Sequence, residues 1–253
     1  MKKVYIKERA ELIKQNDTTE TIFTDELVKD LPRPIKKYLD VCGYMNTPVP
    51  VNANVYWKEA FFKMGPKKKW GEITTLQFNS VKPIARVAYM KFSSMPVSAR
   101  DIYKDGYGEM KIKLFNLFRI AFENGKETAQ SALITSFAEF LIIPGYFVSE
   151  NINWETINDT TVRATLTDNG MVVSGLFYFN QEGLLKRFET EDRYYFLGKD
   201  NYKKIRYSGV VDSYKKQGNL RIAENAKVKW HLPEGDYEYY KGTIDSIEFN
   251  IRE

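Results

Sequence analysis

The sequence predicts a mainly β fold of the α+β class: a large curved antiparallel sheet or unclosed β-barrel of about ten or eleven strands. A helix pattern bracketed by prolines, Leu31–Leu39, precedes about two hundred residues that mostly alternate like strands. Only the stretch between about Lys126 and Ile142 changes to a helical period. The turns between strand segments are short, which is typical of antiparallel neighbours. We therefore expect N-terminal helices and one inner helix packed against a single sheet.

Short helical patterns open the chain. Residues 4–15 carry a weak apolar stripe, which we interpret as part of a surface arm. Thr24 can cap a second helix, because its hydroxyl can accept a hydrogen bond from the first turn. Pro34 can begin a third helix and Gly43 can end it. This third helix has one apolar face at i, i+3, i+4 and i+7, which consists of Ile35, Tyr38, Leu39 and Cys42.

The strand pattern begins at Val51 and continues nearly to the end of the chain. Residues 51–58 alternate apolar and polar side chains with a period of two. Gly65-Pro66 marks a turn, and Asp105-Gly106 is a hairpin signal. The other predicted strands are 70–78, 84–92, 110–115, 162–166, 171–179, 184–196, 203–212, 220–232 and 237–251. We assign residues 1–23 to a polar arm and residues 24–253 to a single β-rich domain, since no repeat or linker divides them.

Composition excludes several kinds of site. The single cysteine, Cys42, rules out an internal disulfide and a multi-cysteine zinc site. One histidine, His231, cannot supply the two or three imidazoles or thiolates that zinc or non-haem iron generally needs. We expect no metal and no cofactor. A Ser-His-Asp triad would have to use His231, but its place beside lysines favours a solvated strand face instead.

The charge pattern does not indicate a nucleic-acid binder. The chain has 38 basic and 33 acidic residues, a net charge of +5, and its one tight basic run, Lys67–Lys69, follows a turn signal as in a solvated hairpin tip. The longest apolar stretch, Phe137–Val148, is too short to span a membrane and is interrupted by Glu139 and Pro144. The first 24 residues lack the apolar core of a signal peptide. We expect a cytoplasmic location, with peripheral membrane association left open.

Glu139 interrupts the most apolar part of the inner helix. Burial would raise the pKa of a carboxyl group there, and such a group could act as an acid, a base or a ligand anchor. The alternative is that Glu139 occupies a solvated face of the helix. A second acid–base candidate is the pair Asp101 and Asp105, although Asp105 also suits a turn.

Four charged residues alternate along one predicted strand: Arg187, Glu189, Glu191 and Arg193. Residues i and i+2 share a sheet face, so these side chains would form one charged row. Inside a barrel, Arg187 and Arg193 could recognise a ligand headgroup, whereas on the outer face the row would be an ordinary solvated ladder. Trp154 and Trp230 could stack on a ligand or fill the core of the sheet.

The sequence resembles a bacterial family of unknown function whose N-terminal motif is Leu-Pro-x-Pro-[Val/Ile]-x-[Arg/Lys]-Tyr-Leu. Residues Leu31–Leu39 match that motif, and further matches are Asp105–Met110, Ala138-Glu139 with Pro144, Trp154, Val228-Lys229-Trp230 and Gly235. The resemblance brings no activity, cofactor or catalytic residue. This chain differs in lacking an arginine in residues 135–137 and in its polar start. The fold it implies is loosely similar to the unclosed barrels of lipoprotein-carrier (LolA-like) proteins, and fold alone does not fix function.

These observations favour a non-enzymatic binding module whose apolar cavity takes a lipid-like or other hydrophobic ligand. One alternative is a carboxylate-based enzyme using Glu139, which requires Glu139 in a pocket beside another titratable group. Another is a scaffold that docks an unknown protein partner through its arm, which requires an exposed apolar patch around Tyr5, Leu12 and Ile13.

Overall fold

The structure is a computed structural model that describes residues 1–16, 20–198 and 201–252. The helices are α1 (Lys2–Gln15), α2 (Asp25–Val28), α3 (Arg33–Val41) and α4 (Lys126–Ala138), and two short 3-10 helices follow at Glu139–Leu141 and Pro144–Val148. The strands are β1 (Asn52–Lys63), β2 (Trp70–Ser80), β3 (Ala85–Phe92), β4 (Val97–Lys104), β5 (Tyr107–Leu114), β6 (Phe118–Asn124), β7 (Ile152–Asn158), β8 (Thr161–Asp168), β9 (Met171–Phe179), β10 (Leu185–Thr190), β11 (Tyr194–Gly198), β12 (Asn201–Lys204), β13 (Tyr207–Gln217), β14 (Leu220–Leu232) and β15 (Gly235–Phe249).

Thirteen strands form one curved antiparallel sheet in the order β6-β5-β4-β3-β2-β1-β15-β14-β13-β10-β9-β8-β7. In the described part of the chain, β6 and β7 are the two edges and do not pair with each other, so the sheet is not closed. The predicted fold class is confirmed. The sheet has more strands than predicted. Its edge strands β6 and β7 are short and mostly exposed, and therefore give a weak burial pattern. The interior strand β4 was also missed, because it is buried on both faces and does not alternate. Strands β11 and β12 form a separate hairpin.

Helix α4 covers the inner face of this sheet, as the change of period predicts. Phe137 at its end contacts Phe177 and Phe188 of the sheet, with ring centroids 5.4 and 5.0 Å away. In the following 3-10 helix, Phe140 stacks on Tyr146 with centroids 4.3 Å apart. All five rings are fully buried. Aromatic pairs in this geometry contribute about 0.5–1.5 kcal/mol each beyond their burial.

Gly108 on β5 allows α4 to lie close to the sheet. A Cβ atom at this position would lie 2.5 Å from the Ala129 Cα atom and 2.8 Å from the Thr128 carbonyl oxygen. Backbone atoms cannot move aside cheaply, so a glycine is required where the first turns of α4 meet β5. The Asp105-Gly106 hairpin just before it is confirmed, since both residues have positive φ angles of 51° and 74°.

The N-terminal helices follow the predicted signals. Thr24 Oγ1 accepts a hydrogen bond from the Leu27 amide at 3.2 Å, which caps α2. Pro34 lies in the first turn of α3, and Gly43 follows that helix with a φ angle of 77°. The predicted apolar face of α3 is buried in the main core: Ile35, Tyr38, Leu39 and Cys42.

Helix α1 lies on the outer face of the sheet, over β2, β3 and β4. Tyr5, Leu12 and Ile13 are buried there with residues such as Phe78 and Val87. The scaffold hypothesis expects an exposed apolar patch around these three residues. That expectation is wrong, because the outer face of the sheet covers them. The assignment of residues 1–23 as an arm stays a prediction, and residues 17–19 of it lie outside the described residues.

Ion pairs also hold α1 on the sheet. Arg100 on β4 donates to Glu8 on α1 at 2.7 Å and, on its other side, to Glu109 on β5. The Arg9 Nε donates to Asn54 Oδ1 at 3.0 Å. No helix of the described residues is long and apolar enough to cross a membrane.

We expect Leu12→Ala to lower the free energy of unfolding by about 2–5 kcal/mol, because it opens a cavity where Leu12 is 0% exposed. Ile6→Ala on the same helix is the matched control, since Ile6 is 53% exposed. It should change stability by only about 0.5 kcal/mol. Urea unfolding measures both. Equal effects of the two substitutions would show that α1 does not pack on the sheet in solution.

Candidate functional site

A partly enclosed cavity lies between the end of α4 and the inner face of the sheet, under β1 to β5 and β13 to β15. The space in it that the centre of a water molecule can reach is about 170 Å³. All of its empty space, including the open mouth, is about 910 Å³. Its apolar wall is built from side chains of the sheet and of residues 126–142, which we call the α4 segment: Trp57, Phe62, Met90, Met110, Ala138, Leu141, Ile142 and Val228. Gly209 also lines it, and a Cβ atom at this position would lie 2.9 Å from Leu141 Cδ1.

One polar cluster is centred on Arg86, which points from β3 into the cavity. Its Nε donates to Glu139 Oε1 at 2.5 Å and its Nη1 donates to Asp101 Oδ2 at 2.6 Å. The Asn79 amide donates to the other oxygen of Glu139. Gln77 extends the network, since it donates to Asn79 at 3.0 Å. Every member lies on β2, β3, β4 or the α4 segment, so the cluster ties the inner helix to the sheet.

Burial and the charges of this cluster have opposite effects on the pKa values of its members. Burial raises the pKa of the Glu139 carboxyl, and the opposing charge of Arg86 does not cancel that effect. Burial also works against the charge of Arg86, but Glu139 and Asp101 outweigh it and hold the pKa of the guanidinium above its ordinary value. One cation thus serves two carboxylates, and their nearest oxygens are already occupied.

A second arginine, Arg193, lines the same cavity without such partners. Its guanidinium carbon lies 4.0 Å from the ring centroid of Tyr207 and 5.1 Å from that of Trp230. The Nε and Nη1 atoms are buried and have no hydrogen-bond acceptor. Burial works against its charge, but the hydroxyls of Tyr239 and Tyr207 hold the pKa of Arg193 above its ordinary value. This arginine is therefore a buried cation with unused donors.

Two hydroxyl groups in the cavity are also unsatisfied. The Tyr240 hydroxyl faces that of Thr75, yet neither makes a hydrogen bond of normal geometry. Buried polar atoms in folded proteins nearly always have a partner. Of the six unpartnered buried side-chain atoms among the described residues, four belong to cavity-lining Thr75, Arg193 and Tyr240. The shortage of partners is concentrated at this site.

The structure brings only some of the predicted site residues together. Glu139 and Arg193 line the cavity, and Trp230 lies behind Arg193 as part of its stacking surface. Trp154 packs in the core, where its Nε1 donates to the Phe147 carbonyl oxygen at 3.2 Å. Arg187 is outside the cavity and stacks on Tyr178 at 4.1 Å. A solvated position for Glu139 is wrong, because its side chain is only 12% exposed.

The predicted charged row does not form, because the strand ends before its last two members. Strand β10 stops at Thr190, and the chain bends at Glu191 before β11 begins. Glu189 remains in β10, where its carboxylate lies 3.5 Å from the Arg187 guanidinium and 3.0 Å from that of Arg206. Beyond the bend, Arg193 lines the cavity, whereas Arg187 lies outside it.

Sequence reasoning missed Arg86, the centre of the polar cluster. A usable signal was present, since Arg86 shares its strand face with Ala88 and Met90, on a strand that is buried on both faces. A charged residue on such a face needs a partner of opposite charge. The identity of that partner was not readable, because Glu139 lies 53 positions away along the chain.

Ser208, His231 and Asp236 form a hydrogen-bonded chain like that of a catalytic triad. His231 Nε2 lies 3.0 Å from Ser208 Oγ, and its Nδ1 lies 2.7 Å from Asp236 Oδ1. Ser208, however, is 0% exposed and lies near the start of β13, where β13 is paired on both sides with β10 and β14. A nucleophile needs access to substrate and donors for an oxyanion. We interpret this chain of hydrogen bonds as structural.

Among the described residues, no group of three or more His, Cys, Asp or Glu side chains is placed to hold a metal ion. The cavity has carboxylates, guanidinium groups and hydroxyls within a mainly apolar wall. Its two carboxylates are both paired with Arg86.

Comparisons with known proteins give one family and several distant structures. Residues 21–242 match DUF6544, a family of unknown function. A domain from Vibrio parahaemolyticus, named for outer membrane lipoprotein sorting, is similar at 11% identity and a TM-score of 0.45, covering 79% of this chain and 85% of its own. A DUF1329 family protein from Desulfovibrio piger has 9% identity and a TM-score of 0.45, covering 91% and 95%.

A LolA superfamily protein from Nitrosomonas europaea has 9% identity and a TM-score of 0.44, covering 86% of this chain and 92% of its own. No curated protein matches. These likenesses are too distant to transfer a ligand or a partner.

We expect Arg86→Met to lower the free energy of unfolding by about 3–5 kcal/mol near neutral pH, because two buried carboxylates lose their cation. A carboxyl group whose pKa is raised in the folded state destabilises the fold as pH rises through that pKa. The loss should therefore be smallest near about pH 4 and grow toward neutral pH. Denaturant unfolding at several pH values measures it.

The double variant Arg86→Met/Glu139→Gln is the control for this interpretation. It removes one of the stranded charges and should recover part of the lost stability near neutral pH. A pH-independent loss, or no recovery in the double variant, would show that the cluster is not held by charge pairing.

Proposed function

This chain belongs to DUF6544, a family of unknown function, and we propose that it is a binding module that holds a hydrophobic small molecule, such as a lipid chain, in the cavity beneath α4. The observation that carries this proposal is the largely apolar, partly enclosed cavity between the inner helix and the sheet. Ligand sites are typically concave and mostly apolar, with a few polar groups that fix orientation.

The dimensions support an apolar guest. An engineered apolar cavity of about 150 Å³ binds benzene, and the volume of this cavity on a comparable measure is about 170 Å³. Its mouth provides further space for a longer molecule. Each methylene buried there contributes about 0.8 kcal/mol. A chain of about six buried methylenes would then gain about 5 kcal/mol before the entropic cost of association.

The carboxylate-enzyme alternative has weaker support. It requires Glu139 in a pocket beside a titratable group, and Glu139 does lie beside Arg86 and Asp101. An acid or base must nevertheless be free to exchange a proton with substrate. Glu139 instead receives hydrogen bonds from Arg86 and Asn79 on both oxygens, which suits an anchor of the fold.

Peripheral contact with a membrane is supported by the β5–β6 hairpin. Its tip exposes Phe115, Leu117 and Phe118 to between 60% and 73%. From Met110 to Phe122 the hairpin has three basic residues and no acidic one. Exposed apolar side chains with adjacent basic charge suit an interface of anionic lipid headgroups. A cytoplasmic location stays a prediction from the sequence.

Native mass spectrometry of the purified protein, with extraction of bound lipids, tests the main proposal. We expect a bound acyl compound, or binding of the neutral apolar dye N-phenyl-1-naphthylamine after lipid removal. Ala226→Phe places a ring in the cavity and should weaken dye binding about tenfold or more. Val172→Phe is the matched control and should have no effect, because Val172 on β9 is 62% exposed and lies outside the cavity. Equal dye affinity in both variants would contradict the proposed site.

Vesicle sedimentation tests the membrane contact. The variant Leu117→Asp/Phe118→Asp should reduce binding to vesicles of phosphatidylcholine with phosphatidylserine about tenfold or more, since it removes apolar contacts and adds repulsive charge. Val172→Asp is the control for adding a charge at an exposed apolar residue. If the wild-type protein does not sediment with anionic vesicles, or the hairpin variant binds them equally, the membrane contact is wrong.

A further inference from the structure

We propose that the ligand of this cavity is an anionic amphiphile, whose carboxylate or phosphate headgroup is bound by Arg193 while its apolar chain occupies the space beneath α4. This inference rests on the proposed function and adds the chemical class of the ligand. It depends on the contrast between the two arginines of the cavity.

Arg193 lacks the partner that a buried cation needs. No carboxylate oxygen of the described residues lies within 4 Å of its guanidinium nitrogens, whereas Arg86 has two such partners. Asp101 attracts Arg193 from a distance, but its Oδ2 accepts from Arg86 at 2.6 Å. A buried charge without a partner destabilises a fold. An anion supplied by a ligand would complete this site.

Arg193 is also held in a fixed orientation. Tyr207 and Trp230 stack against the guanidinium. Stacking occupies the faces of the group, and its buried Nε and Nη1 atoms have no acceptor. These two nitrogens donate along different edges of the group, and each can form a charge-assisted hydrogen bond to an oxygen of a carboxylate or phosphate.

The other unsatisfied groups of the cavity fit the same ligand class. The hydroxyls of Thr75 and Tyr240 can each donate a hydrogen bond. The remaining wall is mainly aliphatic and aromatic, so it suits an alkyl chain better than a sugar or a peptide. The cavity therefore combines unpartnered donors with a mainly apolar wall.

The test compares three ligands of equal chain length on delipidated protein: dodecanoic acid, dodecyl phosphate and neutral 1-dodecanol. Affinities are measured by displacement of N-phenyl-1-naphthylamine at mildly alkaline pH. We expect at least one of the two anions to bind about tenfold more tightly than the alcohol. The anion that binds more tightly distinguishes a carboxylate from a phosphate headgroup.

Arg193→Met should remove that preference, lowering anion affinity about tenfold while leaving affinity for the alcohol unchanged. Arg187→Met is the matched control, because Arg187 stacks on Tyr178 at 4.1 Å in the same way but outside the cavity. It should change neither affinity. Circular dichroism confirms folding of each variant.

If Arg193→Met does not fold, Arg193→Lys provides the test, since it keeps the charge but loses the planar guanidinium that stacks on Tyr207 and Trp230. It should weaken anion binding severalfold and spare the alcohol. Wild-type protein that binds the alcohol as tightly as both anions would overturn the headgroup inference and leave the binding module intact. Equal losses for all three ligands would also overturn it. Failure of all three to bind wild-type protein would instead contradict the proposed function itself.

Discussion

The main constraint on this molecule is that a curved sheet that does not close cannot cover its own inner face. Thirteen strands pair edge to edge, and the inner side chains of the middle strands must be shielded from water by something else. Helix α4 and the segment after it provide that cover, anchored by the rings of Phe137 and Phe140. Gly108 permits the close approach on which this packing depends. The cavity lies where the cover ends, beside Leu141 and Ile142.

The two arginines of the cavity show how similar groups can have different roles. Arg86 has its partners within the fold, because it forms ion pairs with two carboxylates and lies on β3, between the paired strands β2 and β4. It links the helix to the sheet. Arg193 is stacked by aromatic rings, but its Nε and Nη1 donors have no acceptor. The two arginines therefore differ in their hydrogen-bond partners, a difference that burial alone does not reveal.

Local patterns in the sequence predicted most of the fold. The period of two in β1, the face of α3 and the Asp105-Gly106 turn each depend on residues close together in the chain, and the structure confirms them. The partners of Arg86 were not predictable, because they come from a different strand and from the α4 segment. An inward Arg193 was one of two alternatives left open by the sequence, but its separation from Arg187 was missed, since alternation carried the strand past Thr190, where β10 ends. Edge strands gave the weakest signal, because their side chains are largely exposed.

The unpaired edges of β6 and β7 have a mechanical consequence. Widening the wall of a closed barrel would require main-chain hydrogen bonds between neighbouring strands to break. Among the described residues, β6 and β7 do not pair with each other, so the curvature of this sheet can change without the loss of an interstrand hydrogen bond.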